Sequence, residues 1–329
     1  MYENKSVLIT GGTGSWGHEL VKQLLARNPK EIRIFSRGEL AQVNMQRFFN
    51  EPKLKFIIGD IRDESALIKA TQKVDYVFHL AALKHVPICE EHPLEAVKTN
   101  IMGTQNLINA CILNHVKKVI DVSTDKAVDS LNLYGMTKAV GEKLIIQANQ
   151  LDSDTQFVCI RGGNVLGSNG SVVPLFMNQL QKNRPLTITN RHMTRYFITL
   201  PEAISLLFKG VEASHGGETF VMRMPSYYIH DIAQVMIQNS NFPDTPIQEI
   251  GMRPGEKLHE VLISEHEATH TFKYDDTYYL IMPTIPIDGL ENYYQDKELE
   301  KVTFTAYTSK DEVLDASHIL PLLKKGGFY

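Results

Sequence analysis

Cysteine is scarce in this chain of 329 residues, which has three cysteines, Cys89, Cys111 and Cys159. They lie far apart along the sequence, and none belongs to a CxxC pair. A small, odd number of cysteines without paired spacing argues against a disulfide framework and against a zinc knuckle. We therefore expect a protein of a reducing compartment.

Long apolar runs and an excess of one charge are also missing. No stretch of about 18 apolar residues occurs, so we expect no membrane insertion. Met1 to Lys5 lead directly into a β-branched run without the apolar segment of a signal peptide, which favours a cytoplasmic location. The formal net charge of −4 gives no electrostatic reason to expect nucleic acid or an anionic membrane as a partner.

A regular alternation of apolar strands and longer helices fills the first half of the chain. The strands are predicted at residues 6–10, 31–35, 55–58, 75–80, 118–122 and 156–160. Helices are predicted at residues 15–26, 39–49, about 90–113 and 134–147. Apolar strands that alternate with helices of ten or more residues predict an α/β fold with a doubly wound parallel Rossmann sheet.

The alternation ends after Arg161, where later elements become shorter and less regular. Gly162-Gly163-Asn164 and residues 167–171 are predicted loops. We predict a Rossmann domain over residues 1–162 and a smaller α/β lobe over residues 163–329, which packs on the carboxyl edge of the sheet. Some later strands are expected to cross back into the sheet, and no low-complexity linker separates the two parts.

A glycine-rich segment, GGTGSWG at residues 11–17, follows the first strand and opens the first helix. Glycines at 11, 14 and 17 allow a tight turn and let backbone N–H groups approach a pyrophosphate at the helix N-terminus. A glycine loop alone is weak evidence, because it also serves as a plain turn. The strand before it and the helix after it favour a dinucleotide site.

The end of the second strand indicates which dinucleotide is bound. An NAD site places an acid about 20 residues after the glycine motif, where it bonds the ribose 2′-hydroxyl. Here Ser36 and Arg37 stand at that point, and a hydroxyl with a guanidinium suits a 2′-phosphate. We predict NADP; the alternative is a solvated arginine at a strand end. Asp60 and Ile61 are predicted at the adenine edge, although Asp60 equally fits a strand terminator.

Tyr134 and Lys138 have Tyr-x-x-x-Lys spacing downstream of the fifth strand. Residues four apart share one face of a helix, so the ammonium is predicted beside the phenol and the cofactor. Together with the positive charge of oxidised nicotinamide, it would lower the pKa of the phenol and make Tyr134 a base for a sugar hydroxyl.

These motifs together resemble the UDP-N-acetylglucosamine 4,6-dehydratases of bacterial surface-glycan biosynthesis, a family of extended short-chain dehydrogenases/reductases. The resemblance covers residues 5 to about 283 and is carried by GGTGSWG, FSR, AALKHVP, KTN, STDKAV, LYGMTK, RGGNVLGSNGSVVP, MTRYF and RPGEKLHE. Membrane-anchored members of the family carry extra N-terminal helices and often a Met in place of Tyr134. The sequence therefore resembles the short, soluble branch.

The resemblance implies the roles of the catalytic residues. Thr124 would hydrogen-bond the sugar 4-hydroxyl, and Tyr134, supported by Lys138, would deprotonate it while hydride passes to NADP. Asp125 and Lys126 would then eliminate water across C5 and C6. For this step the site must lower the pKa of Lys126, through burial or through the positive charge of the cofactor. Return of hydride to C6 leaves a 4-keto-6-deoxy sugar. The stereochemistry at C5 is left open, with a lean to inversion.

The resemblance also implies the binding residues. NADP would contact Gly11, Thr13, Gly14, Ser15, Trp16, Gly17, Ser36, Arg37, Asp60, Ile61, Ala81, Ala82, Tyr134 and Lys138. The UDP-sugar would contact Lys84, Asn164, Ser171, Val173, Arg195, Arg253 and Glu256. The arginines have the best physical case, because a diphosphate needs fixed positive charge. Arg253 also fits the start of a surface helix, His85 equally fits a packing role, and Asn100 is expected to be structural.

One further motif, HExxH at residues 266–270, matches the zinc-protease signature. That chemistry needs the motif inside a helix together with a third ligand. Here Thr269, Thr271 and a strand-like segment follow at once, so we predict no metal.

Two other functions compete with dehydration. A UDP-sugar 4-epimerase of the same fold shares Thr124, Tyr134 and Lys138, but it needs no groups at C5 and C6, so Asp125 and Lys126 favour dehydration. A non-enzymatic nucleotide-sensing protein need not keep these side chains in register. Helix-mediated dimers are common in this fold, and we expect a homo-oligomer.

Overall fold

The computed structural model describes residues 1–168 and 170–329 and is built around one large sheet. The strands are β1 (Ser6–Thr10), β2 (Glu31–Ser36), β3 (Leu54–Ile58), β4 (Tyr76–His79), β5 (Lys118–Thr124), β6 (Gln156–Gly162), β7 (Asn164–Val165), β8 (Leu186–Ile188), β9 (Thr194–Ile198), β10 (Thr219–Met222), β11 (Ser226–Tyr228), β12 (Ile247–Glu249), β13 (Val261–Ile263), β14 (Thr271–Lys273), β15 (Tyr278–Ile281), β16 (Glu300–Lys301) and β17 (Tyr307–Thr308).

The helices are α1 (Ser15–Leu25), α2 (Glu39–Phe49), α3 (Glu64–Ala70), α4 (Val86–Glu91), α5 (Pro93–Val97), α6 (Gly103–Leu113), α7 (Leu133–Gln147), α8 (Val172–Gln181), α9 (Leu200–Ala213), α10 (Ile229–Gln238), α11 (Glu265–Ala268), α12 (Leu290–Gln295) and α13 (Ile319–Lys325). A π-helical turn spans Lys98–Met102, and 3₁₀ turns span Asp125–Ala127, Ala148–Gln150 and Ala316–His318.

The large sheet has ten strands in the order β16-β14-β15-β10-β6-β5-β4-β1-β2-β3. From β10 to β3 all neighbours are parallel, and β14, β15 and β16 add antiparallel pairs at one edge. The predicted doubly wound α/β fold is confirmed. The chain order reverses between β1 and β4, and such a switch point opens a crevice at the carboxyl ends of the strands.

Both faces of the sheet are covered by apolar helices. One face packs on α1 and α9, through residues such as Leu24 and Leu207, and the other on α3, α6 and α7, through residues such as Leu67 and Leu107. β1 is buried at every residue. Burial from both sides explains why these strands are continuous apolar runs instead of alternating ones.

Later segments build a second group of small sheets. β7, β9 and β11 form one sheet, β8 pairs with β12, and β13 pairs with β17. A separate apolar core joins α8, α10 and α13 through Phe176, Met236 and Leu323. Four strands that follow residue 162, namely β10, β14, β15 and β16, belong to the large sheet. The division of the chain at residue 162 stays a prediction.

Several element boundaries differ from the prediction. The predicted helix at 90–113 is a series of short helices broken at His92 and by the π-turn. Helix α3 was not predicted, although Asp63 caps it by accepting a bond from the Ala66 amide. Gly162 and Asn164 lie in β6 and β7 instead of a loop. Residue 169 of the second predicted loop lies outside the described residues.

No helix in the described ranges is both long and apolar enough to cross a bilayer.

Candidate active site

A cavity of about 830 Å³ opens along the carboxyl ends of the parallel strands. Most of the predicted cofactor and catalytic residues line it, together with three predicted substrate residues. They are Gly11, Thr13, Gly14, Ser15, Trp16, Ser36, Arg37, Asp60, Ile61, Ala81, Ala82, Lys84, Thr124, Lys126, Tyr134, Lys138, Asn164 and Ser171. Gly17, Asp125, Val173, Arg195, Arg253 and Glu256 are not among its lining residues.

The glycine-rich turn presents the N-terminus of α1 to one end of the cavity. Gly14 is the N-cap residue, no side chain caps the helix, and its first turn carries no acid. Unpaired N–H groups and a positive dipole end favour an anion there. A Cβ at Gly17 would lie 1.9 Å from the Gly12 carbonyl oxygen, so only glycine lets the helix pack this closely on the turn. These features fit a dinucleotide pyrophosphate.

The ends of β2 and β3 form the wall next to this turn. Gln42 donates to the Ser36 hydroxyl at 3.0 Å and to the Ile57 carbonyl at 2.8 Å, so it ties the two strands together. The Arg37 side chain is 55% exposed, with Nη1 4.0 Å from Asp60. Asp60 instead makes its short bonds to Arg62, at 2.6 and 2.9 Å. Arg37 therefore keeps donors for an anion in the cavity.

Tyr134 and Lys138 lie one turn apart on α7, and both are buried. Burial raises the pKa of the Tyr134 phenol, and the charges of Lys138 and Lys126 offset part of this rise. The net shift from the protein's own groups is upward, because desolvation of the phenolate is the larger effect. The lowering predicted from Lys138 and nicotinamide together stays a prediction. The contribution of Lys138 has the predicted sign.

Thr124, Asp125 and Lys126 lie on the turn that follows β5. The Thr124 hydroxyl donates to Asp125 Oδ1 at 2.8 Å, and Lys126 Nζ lies 3.0 Å from the same oxygen. A Cβ at Gly135 would lie 1.9 Å from the Lys126 carbonyl oxygen. Glycine at this position lets the start of α7 pack directly on the turn, which places Tyr134 beside the other three side chains.

Two buried carboxylates lie near the Lys126 ammonium. Asp125 Oδ1 is 3.0 Å from Nζ, and Glu260 Oε1 is 3.8 Å from it. Burial disfavours the charged ammonium, but the attraction of Asp125 and Glu260 is stronger, so the pKa of Lys126 is raised. The lowering expected from burial is therefore outweighed by the two carboxylates, and the lowering expected from the cofactor's positive charge stays a prediction. Sequence reasoning missed Glu260, although it lies in the RPGEKLHE motif.

Arg195 is held inside the protein and does not face the cavity. Its guanidinium donates to the carbonyls of Thr194, Lys257 and Leu258 at 2.7 to 3.2 Å and lies 3.3 Å from Glu260. Glu256 accepts from the Arg253 amide and lies 3.7 Å from Arg195. Arg195 thus holds the segment 256–260 beside the turn that carries Asp125 and Lys126, and its predicted contact with a diphosphate stays a prediction.

Several buried polar atoms in and beside the cavity have no partner among the described residues. They are Ser123 Oγ, Asp125 Oδ2, Asn164 Oδ1, Ser171 Oγ and Glu260 Oε2. A buried polar atom without a hydrogen bond costs about 1–3 kcal/mol. Asp125 and Glu260 both contact Lys126, and Ser123, Asn164 and Ser171 line the cavity, so a polar ligand in the cavity is one source of the missing bonds.

Asn100 is buried and fully hydrogen-bonded, whereas His85 is exposed. Asn100 bonds the backbone of Leu83 in both directions at 2.8 Å and donates to Thr137 at 2.9 Å. It therefore joins the loop after β4 to α7. His85 is exposed and lines the cavity.

The glutamate of the HExxH segment, Glu267, forms an ion pair with Arg161. The same side chain caps the four-residue helix α11 through Ser264 and binds Arg161 at 2.9 and 3.0 Å. The two histidine rings are 6.1 Å apart. Within residues 1–168 and 170–329, no cluster of three or more His, Cys, Asp or Glu side chains could hold a metal.

Comparison with known proteins identifies relatives over nearly the whole chain. The model of the family described as "Polysaccharide biosynthesis protein" matches residues 7–282. A Campylobacter jejuni UDP-N-acetylglucosamine 4,6-dehydratase (inverting) is 44% identical over 89% of this chain and 87% of its own length. A Rickettsia bellii protein named UDP-glucose 4-epimerase is 42% identical over 94% and 92%. The structure of Pen from Bacillus thuringiensis superposes with a TM-score of 0.93 at 36% identity, covering 100% and 99% of the two chains.

Proposed function

The chain belongs to the polysaccharide biosynthesis protein family, and on this premise we propose that it is an NADP-dependent UDP-N-acetylglucosamine 4,6-dehydratase. The observation that carries the proposal is that Thr124, Lys126 and Tyr134 line one cavity, while Asp125 lies directly behind them and contacts Thr124 at 2.8 Å and Lys126 at 3.0 Å. A sugar bound there would have groups available for oxidation at C4 and also for loss of water across C5 and C6. The product is a UDP-4-keto-6-deoxy sugar for glycan synthesis.

NADP is proposed as the cofactor, held by the glycine turn, Ser36 and Arg37. When bound, it supplies the hydride chemistry, as acceptor from C4 and donor to C6. The support is the open helix N-terminus for the pyrophosphate and the exposed Arg37 guanidinium where an NAD site would have an acid.

The oxidation step needs a base at the sugar 4-hydroxyl. We assign that role to the Tyr134 phenolate, with Thr124 as a hydrogen-bond partner of the same hydroxyl. Burial works against the phenolate, and the ammonium groups of Lys138 and Lys126 work in its favour. Tyr134 accepts the hydroxyl proton while hydride leaves C4, which gives a ketone at C4.

The elimination step needs an amine and an acid, and the Lys126–Asp125 contact can produce both. Transfer of one proton from Lys126 Nζ to Asp125, 3.0 Å away, leaves a neutral amine and a protonated carboxyl. This transfer runs against the raised pKa of Lys126, so the neutral amine is the minority form from which elimination proceeds. The amine takes the C5 proton, which the C4 ketone has acidified. The C5=C6 double bond forms, the C6–O bond breaks, and Asp125 protonates the departing hydroxyl to give water. Return of hydride to C6 and of a proton to C5 completes the product.

A 4-epimerase is the second candidate, favoured by the name of the Rickettsia bellii relative. The products of the two reactions differ in mass, because epimerisation conserves all atoms of the sugar and dehydration removes one water. Proton NMR of the product from UDP-N-acetylglucosamine in deuterated water distinguishes them. A dehydratase gives a 6-methyl signal, loss of water and deuterium at C5. Product with an intact 6-hydroxyl and an inverted C4 would refute dehydration.

The same spectrum reports the configuration at C5. We propose inversion, in line with the name of the Campylobacter jejuni relative. Coupling constants between the protons of the pyranose ring distinguish the two C5 epimers, and retention would contradict this part of the proposal without affecting dehydration.

A further inference from the structure

Asp121 is a buried carboxylate next to the proposed active site to which sequence reasoning assigned no role. It lies in β5, three positions before Thr124, and is 0% exposed. Its two carboxylate oxygens lie 3.0 and 3.1 Å from Lys138 Nζ. The strand that carries the catalytic turn therefore also carries a counter-charge for the lysine of the Tyr134–Lys138 pair.

Other titratable groups surround Asp121 on the neighbouring strands. In the sheet register Asp121 pairs with His79 on β4 and with Cys159 on β6. Burial lowers the pKa of His79 to about 4, and its ring bonds Thr10 and Thr104 at 2.7 and 3.1 Å. Burial likewise raises the pKa of the Cys159 thiol, with Asp121 adding to the rise. Both side chains are neutral near pH 7, so the cation that faces Asp121 is Lys138.

The pairing decides whether Lys138 carries a charge. A buried ammonium without a partner loses its proton readily, because desolvation disfavours the charged form. Burial lowers the pKa of Lys138, but the attraction of Asp121 and a smaller contribution from Tyr134 together outweigh it, and the pKa is raised. An ammonium has three donors, and the two contacts to Asp121 leave one for the cavity that Lys138 lines.

We propose that Asp121 is a positioning residue for the Tyr134–Lys138 pair, since it directs the Lys138 ammonium toward the cavity and keeps it charged in a buried site. The inference rests on the proposed function, because it assumes that Tyr134 acts as the base. Lys138 supports the Tyr134 phenolate only while it is protonated. Loss of the Asp121 charge therefore weakens the base indirectly, without removing any group that touches the sugar.

The test compares Asp121→Asn with wild type in a pH profile of kcat on the NADP-loaded protein. Wild-type kcat should show no alkaline decline below the ordinary lysine pKa of about 10.4, since the Lys138 proton is retained. In Asp121→Asn the alkaline decline of kcat should begin at a pH at least about one unit lower than in wild type. At the most alkaline pH measured, kcat of the variant should then be about tenfold below the wild-type value. Asp121→Glu keeps the charge and should restore most of the wild-type profile. Asp121→Ser is a second neutral variant in case Asp121→Asn does not fold.

Glu142→Gln is the matched control, because Glu142 is a second buried carboxylate on α7 and pairs with Arg161 at 2.7 Å. Its loss should lower stability without moving the alkaline decline. A second readout needs no turnover: labelling of Lys138 by a small amine-reactive reagent, followed by peptide mass spectrometry across pH. Labelling should begin at lower pH in Asp121→Asn than in wild type, with and without added NADP.

The outcomes separate the two proposals. A wild type that turns over no nucleotide sugar refutes the proposed function, while the labelling still reports on Asp121. A wild type with turnover, together with Asp121→Asn that keeps the wild-type alkaline decline and labelling profile, refutes the role of Asp121. A similar shift in Glu142→Gln would also overturn it, because any buried charge would then have the same effect.

Discussion

At the scale of single residues, the contact between Asp125 and Lys126 carries the strongest prediction. Removal of either group should leave oxidation at C4 possible and block loss of water, because Thr124, Tyr134 and Lys138 stay in place. Loss of the Lys126 charge should also slow the oxidation, since this charge favours the Tyr134 phenolate. Asp125→Asn and Lys126→Ala should therefore accumulate NADPH and 4-keto sugar without a 6-deoxy product. Single-turnover absorbance of NADPH, measured beside mass loss from the nucleotide sugar, checks this. Dehydration at near wild-type rates in both variants would contradict it.

Arg37 carries the prediction for cofactor choice. Its 55% exposed guanidinium lies at the end of β2, where bidentate contact with a 2′-phosphate is available. Arg37→Ala should weaken NADP binding by roughly tenfold or more, which corresponds to the loss of one charge-assisted contact of about 1.5–3 kcal/mol. NAD affinity should change little. Calorimetric titration of both cofactors on cofactor-free protein measures this, and equal losses for the two cofactors would exclude selection by Arg37.

At the scale of elements, an ion cluster joins β6, α7 and α11. Arg161 is 3% exposed and binds Glu142 and Glu267. Removal of one partner of a buried pair costs about 3–5 kcal/mol, and Glu142 remains here. We therefore expect Glu267→Ala to lower the free energy of unfolding by about 3 kcal/mol in urea titrations. His266→Ala, one position earlier and outside the cluster, should change stability by less than about 0.5 kcal/mol.

The variant His266→Ala also tests the prediction that the HExxH segment binds no metal. His266→Ala should keep full activity, and metal analysis of the chelator-treated protein should find no stoichiometric zinc. Stoichiometric zinc that is lost in His266→Ala would overturn the prediction.

The contact between Glu267 and Arg161 should also make stability depend on pH. Burial raises the pKa of Glu267, but Arg161 together with the bonds from Ser264 lowers it more, so the net pKa is lowered. This contribution to stability is therefore present above about pH 4.5 and is lost as pH falls through the lowered pKa.

At the scale of the whole molecule, α7 leaves an apolar face uncovered. Met136 and Val140 lie one turn apart on this helix and are 48% and 42% exposed, and Leu113 at the end of neighbouring α6 is 61% exposed. Burial of such residues between two copies is favourable by about 25 cal/mol per Å². We predict a dimer formed through α6 and α7. Light scattering coupled to size-exclusion chromatography should therefore give twice the mass of one chain.

A charge on this face should dissociate the dimer. Met136→Glu combined with Val140→Glu should give the monomer mass, because two carboxylates would otherwise be buried unpaired. Leu40→Glu is the matched control, since Leu40 is 72% exposed on α2 at a distance from this face. A monomeric wild type, or the same effect from Leu40→Glu, would contradict the prediction.

Local spacing in the sequence determined much of the fold and the cofactor end of the site. The alternation of apolar strands and helices predicts the parallel sheet, and GGTGSWG predicts the turn before α1, because both depend on neighbours within a few residues. Tyr134 and Lys138 share a helix face for the same reason. Helix α3 was within reach as well, since Asp63 is a typical N-cap residue.

The tertiary structure decided much of the charge state of the proposed catalytic groups. The pKa of Lys126 depends on burial and on Glu260 in addition to the neighbouring Asp125, and that of Lys138 on burial and on Asp121. Glu260 and Asp121 reach these lysines from other parts of the chain. Arg195 and Glu267 likewise have their partners far along the chain. Periodicity reports which residues share a local face, but the ionisation of a buried group depends on desolvation and on the charges that folding brings next to it.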